Sequence, residues 1–447
     1  MAVQSSDALA AAGADPTVPI TSVRVLYSDL HGIARGKDVP VQEFDRIAEQ
    51  GLAFCSAVMG TDLRHTPVVG GEEGYPDLHA HPDVSTLRAL PWEPGVACCL
   101  SDLASAHPDV PVVDPRGALK AVTADLESLG LAPVVGPELE FFLLVPDPSA
   151  PGGVRRLVDR LSMVYTVGPQ VDPGGTVRRM SECLAEVGLG TFAMNHEFMN
   201  SQYEINQLHC GAVEAADRAF RLKAHVKDMA AQAGLVATFM GKPFNDQGGS
   251  GFHLHLSLER DGANALGAPD APDGVADELR HFVGGILAHA PATMALLNPT
   301  VNAYRRLVPD SLAPTQANWG WDNRSTFVRI PPERGPATRI EVRVGDGGAN
   351  PYLATAALLA AGAHGLRERT EPPEPISGDA YRAEQSEATR LPHCLEDALD
   401  ALDGDTVLRE ALGAPLVDMF LAMKRFEVER HRAWTSDWEL EEYLHSL

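Results

Sequence analysis

Glu138 and Glu140 lie two residues apart in the apolar run VVGPELEFFLL (134–144), so on a β-strand both carboxylates share one face while Leu139 and Phe141 take the other. Three further segments repeat the pattern with other chemistry. In QYEINQ one face carries Gln202, Glu204 and Asn206, with Glu197 just upstream in NHEF. In FHLHLSL (252–258) His253, His255 and Ser257 alternate with Phe252, Leu254, Leu256 and Leu258. In RIEVRV (339–344) Arg339, Glu341 and Arg343 alternate with Ile340, Val342 and Val344.

Taken singly, each segment reads as an ordinary half-exposed strand with its polar side out. Together they do not, because solvent faces mix Lys, Thr, Ser and Glu, whereas these supply Glu, His and Arg almost exclusively. Carboxylates gathered around an imidazole repel one another unless cations neutralise them, and hard oxygen donors with one nitrogen suit Mg²⁺ or Mn²⁺. Arginines beside such a cluster suit phosphate. The residues therefore imply a metal-assisted phosphoryl-transfer or nucleotide site on antiparallel strands.

A chain of 447 residues is long enough for two domains to position these strands, since single cores rarely grow beyond about 250 to 300 residues. Residues 1–19, rich in Ala, Asp and Pro, read as a mobile tail. A small domain over 20–108 follows, with a first strand at VRVLYSDL, a turn-like HGIARGK (31–37) and a helix near VQEFDRIAEQG. Pro108, Pro111 and Pro115 precede a helical pattern and mark a boundary near residue 110, leaving 109–447 as the larger unit.

Composition narrows the function classes. A net charge of −25 disfavours nucleic acid, whose binding depends on Lys and Arg. The same charge could draw in a cationic substrate, although acidic surfaces ordinarily serve solubility. Six cysteines (Cys55, Cys98, Cys99, Cys183, Cys210 and Cys394) show no C-x-x-C spacing, which points away from a zinc site or disulfide scaffold and towards a reducing compartment. No basic-then-apolar leader and no run near 20 apolar residues occurs, so a cytoplasmic protein without membrane contact is expected.

From about residue 23 to the C-terminus the sequence resembles the glutamine synthetase family, in the blocks HGIARGK, GPELEFF, HEFMNSQYEIN, KPFNDQGGSGFHLHLS, NPTVNAYRRLVP, NRSTFVRIP and RIEVRVGDGGANPYL. The resemblance implies an α+β protein: an N-terminal β-grasp domain followed by a catalytic barrel of curved antiparallel strands and helices. It also implies a homo-oligomer, a dodecamer of two hexameric rings. ATP and two or three Mg²⁺ or Mn²⁺ ions would be used, with L-glutamate and an amine as substrates. Matched position by position, Glu140, Glu197 and Glu204 would hold one metal and Glu138, His253 and Glu341 the other. His255, Ser257, Arg329 and Arg339 match nucleotide-binding positions; Arg306, Arg343 and the backbone at Gly249 match glutamate-binding ones; and Arg324 matches the arginine at the transferring phosphoryl group, in contact with both. The implied chemistry is a γ-glutamyl phosphate attacked by a neutral amine.

Departures from the family pattern fall on the amine side. Cys55, in FCSAV, occupies the place of the family's ammonium-binding Asp, and Leu312, in VPDSLAP, that of its proton-abstracting Glu. Smaller or less polar groups there fit an amine carrying carbon, and PTQANWGWDNRS (314–325) resembles the subset that γ-glutamylates polyamines or other organic amines. Trp319 and Trp321 become candidate amine contacts, and Asp310, Asp322 and Glu333 candidate bases or amine-binding groups. Cys55 itself is expected to be a buried structural thiol. Gly248 replaces a common Asn, and no tyrosine occurs in RAEQSEATRLP (382–392), so control by adenylylation is not implied. An ammonium-using glutamine synthetase, a noncatalytic assembly protein and a phosphagen-type kinase are the competing readings.

Overall fold

The computed structural model describes residues 12–13, 17–72, 74–105, 111–159, 163–384 and 390–447. In the N-terminal part β1 (Ser22–Ser28) and β2 (Ala34–Pro40) form an antiparallel hairpin, followed by α1 (Phe44–Gln50), β3 (Leu52–Cys55), β4 (Asp77–Pro82), β5 (Arg88–Ala89) and β6 (Val96–Ser105). The strand order is β2-β1-β6-β4-β3, with β5 on β6 and a parallel β1–β6 pair, the mixed sheet of a β-grasp domain. Phe44 and Ile47 of α1 close a small core over Val23, Val25, Ala97 and Cys99.

Two expectations are revised here. The turn within HGIARGK ends at Ile33, whose carbonyl accepts from the Asp29 amide (3.1 Å), and Ala34 to Lys37 already belong to β2. Of the expected tail, residues 1–11 and 14–16 lie outside the described residues, but Ala12 is buried in the small core and its carbonyl accepts from the Ala89 amide. The boundary expected near 110 falls beside 106–110, also outside the described residues.

Beyond it, Asp114 caps α2 (Pro115–Ser128) by accepting from the Arg116 amide at 3.0 Å. The larger unit continues with β7 (Ala132–Pro146), β8 (Val154–Arg156), α3 (Thr176–Glu186), β9 (Thr191–His196), β10 (Gln202–Gln207), β11 (Cys210–Gly211), α4 (Ala212–Gln232), β12 (Val236–Thr238), β13 (Phe252–Arg260) and β14 (Ala263–Asn264). Then come α5 (Asp277–Ala288), α6 (Ala290–Leu297), β15 (Trp319–Trp321), β16 (Val328–Ile330), β17 (Ile340–Val342) and α7 (Pro351–Glu368). Four helices close the chain: α8 (Leu395–Gly404), α9 (Thr406–Leu412), α10 (Ala414–Arg432) and α11 (Asp437–Tyr443). The long path of the sheet runs β15-β16-β17-β13-β7-β10-β9, antiparallel except for β15–β16.

Alternation decides which face each strand buries. In β13 Phe252, Leu254, Leu256 and Leu258 are buried while His253, His255 and Ser257 are half-buried, as their spacing requires. The helices cover the apolar face. Helix α7 is buried along nearly its whole length and crosses α5 where Gly365 meets Gly285; a Cβ on Gly365 would sit 2.2 Å from the His281 carbonyl. Among the described residues no helix is long and apolar enough to cross a membrane.

Arg116 ties the two parts together. Its guanidinium donates to Asp217 on α4 (2.8 and 2.9 Å), Asp102 on β6 (2.7 Å) and Asp83 after β4 (2.8 Å), and Tyr352 donates to the same Asp217 (2.7 Å). Arg116→Leu leaves Asp217 and Asp83 without their guanidinium, while Asp102 keeps Lys120 (2.6 Å), and is expected to destabilise the fold by about 3 to 5 kcal/mol. Urea unfolding of the variant against the parent checks this, and an unchanged midpoint refutes it.

Candidate active site

Strand register brings the chemical residues together. β7 lies between β13 and β10, so His253 is directly opposite Glu138, and Glu204 directly opposite Glu140. On the far side of β13, Glu341 of β17 faces His255, and Arg329 of β16 faces Glu341. Neighbouring strands are about 4.8 Å apart, so side chains at matched heights on one face meet. Glu197, immediately after β9, joins the Glu140 and Glu204 end.

One half of the cluster holds Glu138, His253, His255 and Glu341. Glu138 lies 2.9 Å from His255 Nε2 and 3.4 Å from His253 Nδ1, and the latter is 3.9 Å from Glu341. One ligand atom each from Glu138, His255 and Glu341 fall within 4.8 Å of one another, so both imidazoles flank this half, not His253 alone. Burial would raise the Glu341 carboxyl, but Arg343 and the two imidazoles hold it at about 2. Arg329 and Arg343 each donate to it.

The other half holds Glu140, Glu197 and Glu204. Glu140 accepts from the Gly251 amide and from Gln202 Nε2, both at 2.8 Å. Glu204 accepts from Asn206 (2.8 Å), and Asn195 donates to Glu197. Among the described residues no arginine pairs with these three. Burial, followed by the charges of Glu138, Glu140 and Glu197, pushes the Glu204 carboxyl up to about 10, and burial with the Glu140 charge raises Glu197 as well. Oxygen donors that cannot all ionise alone fit a divalent cation, which would let them.

Beside the first half lies a cavity of about 290 Å³ whose lining includes His255, Ser257 and Arg339, three of the expected nucleotide contacts. Arg339 donates to His255 Nδ1 (3.3 Å), and Ser257 to the Thr338 carbonyl (3.0 Å). His209, Asn264 and Phe192 also line it and were not singled out in the sequence. Asn264 ends β14, where its amide donates to Ser257 (3.0 Å) within the β13–β14 hairpin and to the Thr338 carbonyl (2.8 Å), the latter a tertiary approach no local pattern encodes.

The expected glutamate contacts lie on the other side. Arg306 is buried and donates to the Val344 and Gly345 carbonyls, and Arg343 Nε to the Arg324 carbonyl. The Gly249 carbonyl accepts from Gln202, and a Cβ there would stand 2.1 Å from the Gly241 carbonyl, so only glycine fits. Arg324 is exposed. Leu312 lies on an exposed loop with φ +58°, and Asp310 two residues earlier is also exposed, with φ +63°.

Five residues are placed otherwise than expected. Trp319 is 2% exposed and its indole donates to the Pro373 carbonyl (2.6 Å), so it packs the core; Trp321 stacks edge-on against it and lies under Arg334. Asp322 is bonded by Arg329 through two nitrogens (2.7 and 2.9 Å), and Glu333 by Arg339 (3.1 Å), so both acids serve the arginines of the nucleotide side. Cys55 is exposed, not buried, because it ends β3 at the edge of the N-terminal sheet; all six cysteines are free thiols.

A face of clustered acids beside an arginine-lined cavity defines a protein that works on phosphate-bearing ligands with divalent cations. A model of the glutamine synthetase catalytic domain matches residues 112–443. The glutamine synthetase of Thermotoga maritima is 35% identical over 95% of this chain and 96% of its own, and that of Methanocaldococcus jannaschii 36% over 94% of each. Among solved structures, an ADP complex of GmaS, a γ-glutamylmethylamide synthetase, superposes with a TM-score of 0.86 at 32% identity, covering 99% of this chain and 100% of that one. Ligand-free GmaS superposes at 0.84 with 33% identity, over 95% and 97%. The chain belongs to the glutamine synthetase family and is a carbon–nitrogen ligase.

A pH dependence follows for the cation-free protein. An acid whose pKa is raised on folding binds more protons folded than unfolded, so it costs stability as pH climbs from its unfolded value, about 4.3, towards its folded one. With Glu204 near 10, the chelated protein should lose stability steadily above about pH 5, Mn²⁺ should restore it, and Glu204→Gln should flatten the slope. Urea midpoints measured against pH, with EDTA or Mn²⁺, check this; equal slopes for parent and variant refute it.

Proposed function

We propose that the enzyme joins the γ-carboxylate of L-glutamate to an organic amine at the expense of ATP, forming a γ-glutamyl amide. The observation that carries this reading is an intact cluster of carboxylates, imidazoles and arginines beside a flap, the loop 308–313, that offers Leu312 where ammonium chemistry needs an acid.

An ionised carboxylate is a poor acyl donor, because its leaving group is poor and its charge repels nucleophiles. Attack of the glutamate carboxylate oxygen on the γ-phosphorus of ATP expels ADP and gives γ-glutamyl phosphate. The amine nitrogen then attacks the carbonyl carbon, phosphate leaves, and the amine proton passes to a protein or solvent base. Glu140, Glu197 and Glu204 would hold one Mg²⁺ or Mn²⁺, and Glu138, His253 and Glu341 a second; when bound, such ions neutralise the phosphate charge and polarise the transferring group. Arg306 and Arg343 would bind the glutamate carboxylates, with the Gly249 carbonyl on its ammonium. Arg324, exposed at the mouth, would reach the equatorial oxygens of the phosphoryl group. His255, Ser257, Arg329 and Arg339 would hold the nucleotide. Water must be kept out at the second step, since the acyl phosphate otherwise hydrolyses.

Exposed apolar side chains at Met163, Tyr165, Val167, Phe192 and Phe198, and again at Trp434, Trp438 and Leu444, support assembly of several copies; a dodecamer of two hexameric rings is the proposed form. The competing reading, glutamine synthesis from ammonium, is favoured by the names of the curated relatives.

ADP release with glutamate and a panel of ammonium, methylamine, ethanolamine, putrescine and spermidine separates the two, with mass spectrometry of the amide. An organic amine should exceed ammonium in kcat/KM by at least about tenfold, and ammonium as the best acceptor sinks the proposal. Leu312→Glu should shift the ratio towards ammonium by a similar factor.

A further inference from the structure

A second cavity, of about 760 Å³, shares no lining residue with the nucleotide cavity. It lies between the β1–β2 turn at His31, helix α4, the segments 238–245 and 299–305, and helix α10. Its walls are basic in a protein of net charge −25. Lys424 pairs with Glu427 at 3.1 Å, Arg430 with Asp62, and Arg64 lies over the Trp434 ring at 5.7 Å, which leaves Lys223, Lys227, Lys242 and Arg305. Among the described residues none of these four has a carboxylate within 4.0 Å.

That arrangement opposes stability unless something offsets it. Lys223 and Lys227 stand one turn apart on the same helix, a like-charge pair that repels. Lys223 is buried, and among the described residues its ammonium has the Ala349 carbonyl (2.6 Å) as its one hydrogen-bond acceptor and the Phe239 ring at 5.8 Å. Asp346 also lines the cavity, but its Oδ2 is buried without a partner, and burial pushes its carboxyl up to about 6. It is therefore largely ionised near neutral pH and offsets one of the four cations, leaving the others in excess. Burial, then the Lys227 charge, lowers Lys223 to about 7, a shift that an anion in the cavity would reverse.

We propose that this cavity is a second binding site, for a small multivalent anion carrying phosphate or carboxylate groups, held by Lys223, Lys227, Lys242 and Arg305. Lysines supply unoriented point charges, which suit an anion with several oxygens, and the cavity is large enough for a metabolite and not merely an ion. The site is wired to the glutamate side. Lys242 and Asn302 are joined by two backbone-to-amide hydrogen bonds (2.8 and 2.9 Å), and Lys242 Nζ donates to the Gln247 carbonyl. The Gly241 carbonyl accepts from the Ser250 amide (2.8 Å), next to Gly249, and Arg305 adjoins Arg306. An occupant drawing Lys242 and Arg305 inward would therefore bias the loop and the arginine that face glutamate.

Calorimetric titration of full-length, metal-free protein with tripolyphosphate, and separately with citrate, tests the site without relying on turnover. One saturable component per chain is expected, weakened at least about tenfold by Lys227→Gln and by Arg305→Gln, kept by Arg305→Lys, and kept by Arg339→Gln in the nucleotide cavity. The tighter of the two anions tells phosphate from carboxylate recognition. No saturable binding of either anion up to about millimolar concentration overturns the proposal. So does a component that Arg339→Gln abolishes while Lys227→Gln and Arg305→Gln spare it, or an equal loss with Arg305→Lys in a variant that melts as the parent does.

Discussion

Mutual repulsion among carboxylates that the sheet forces together governs this structure. Glu138, Glu140 and Glu204 are set by the register of β7 between β13 and β10, and sliding either partner by one residue would turn its polar set into the core. Apolar alternation therefore fixes the position of the acids. Phe252, Leu254, Leu256 and Leu258 on β13, and Leu139 and Phe141 on β7, are buried against the helices, and their opposite faces have nowhere else to point. The charge is managed differently at the two ends. Glu341 is neutralised by Arg329 and Arg343, whereas Glu140, Glu197 and Glu204 are bonded, among the described residues, by amide donors (Gln202, Asn195, Asn206 and the Gly251 backbone) and, between Glu197 and Glu204, by each other. An amide can orient a carboxylate but cannot cancel its charge, so this end retains an unmet demand for a cation.

The arginines that serve the acids are themselves positioned by them. Arg329 bridges Glu341 and Asp322, and Arg343 bridges Glu341 and the carbonyl of Arg324, so β16, β17 and the loop 322–324 form one electrostatic unit. Buried ion networks of this sort specify geometry more than they stabilise, because desolvation consumes much of the Coulombic gain. Stability comes instead from the layer beneath. Helix α7, with nine Ala or Leu among its fourteen buried residues, can approach α5 at the Gly285–Gly365 crossing, where glycines leave room for close contact.

Much of this was legible in the residues. The strict alternation of FHLHLSL and the pairing of Glu138 with Glu140 define faces by a two-residue period, and the structure keeps those faces. Less legible was anything that depends on which strand lies beside which. His255 as well as His253 flanks Glu138 because register sets the pair opposite Glu138 and Gly136, a long-range fact. Trp319 has the composition of a ligand contact, and only the Pro373 carbonyl, supplied from over fifty residues away, makes it a core residue. Cys55 was misjudged because thiols are usually buried, whereas this one ends a short strand at a sheet edge. HGIARGK reads as one turn because of its two glycines, yet its second half extends to pair with β1.

The acids near the flap sharpen the amine half of the proposed reaction. Asp322 and Glu333 could each have served a cationic acceptor from the sequence alone, but Arg329 and Arg339 occupy them, and a carboxylate already paired with a guanidinium is a poor site for a second cation. Asp310 is the nearby candidate acid left without such a pairing, beside Leu312 and Val308, which are 43% and 46% exposed. One acid next to two aliphatic side chains is a poor trap for ammonium, which gains only from charge and hydrogen bonds. It is a better one for an alkylamine, whose nitrogen can give its proton to Asp310 while its carbon covers Leu312. On the proposed reading, selectivity therefore arises from burial of apolar surface at about 25 cal/mol per Å² and not from a second carboxylate. A flap of this composition would favour longer amines until the space beneath it is filled.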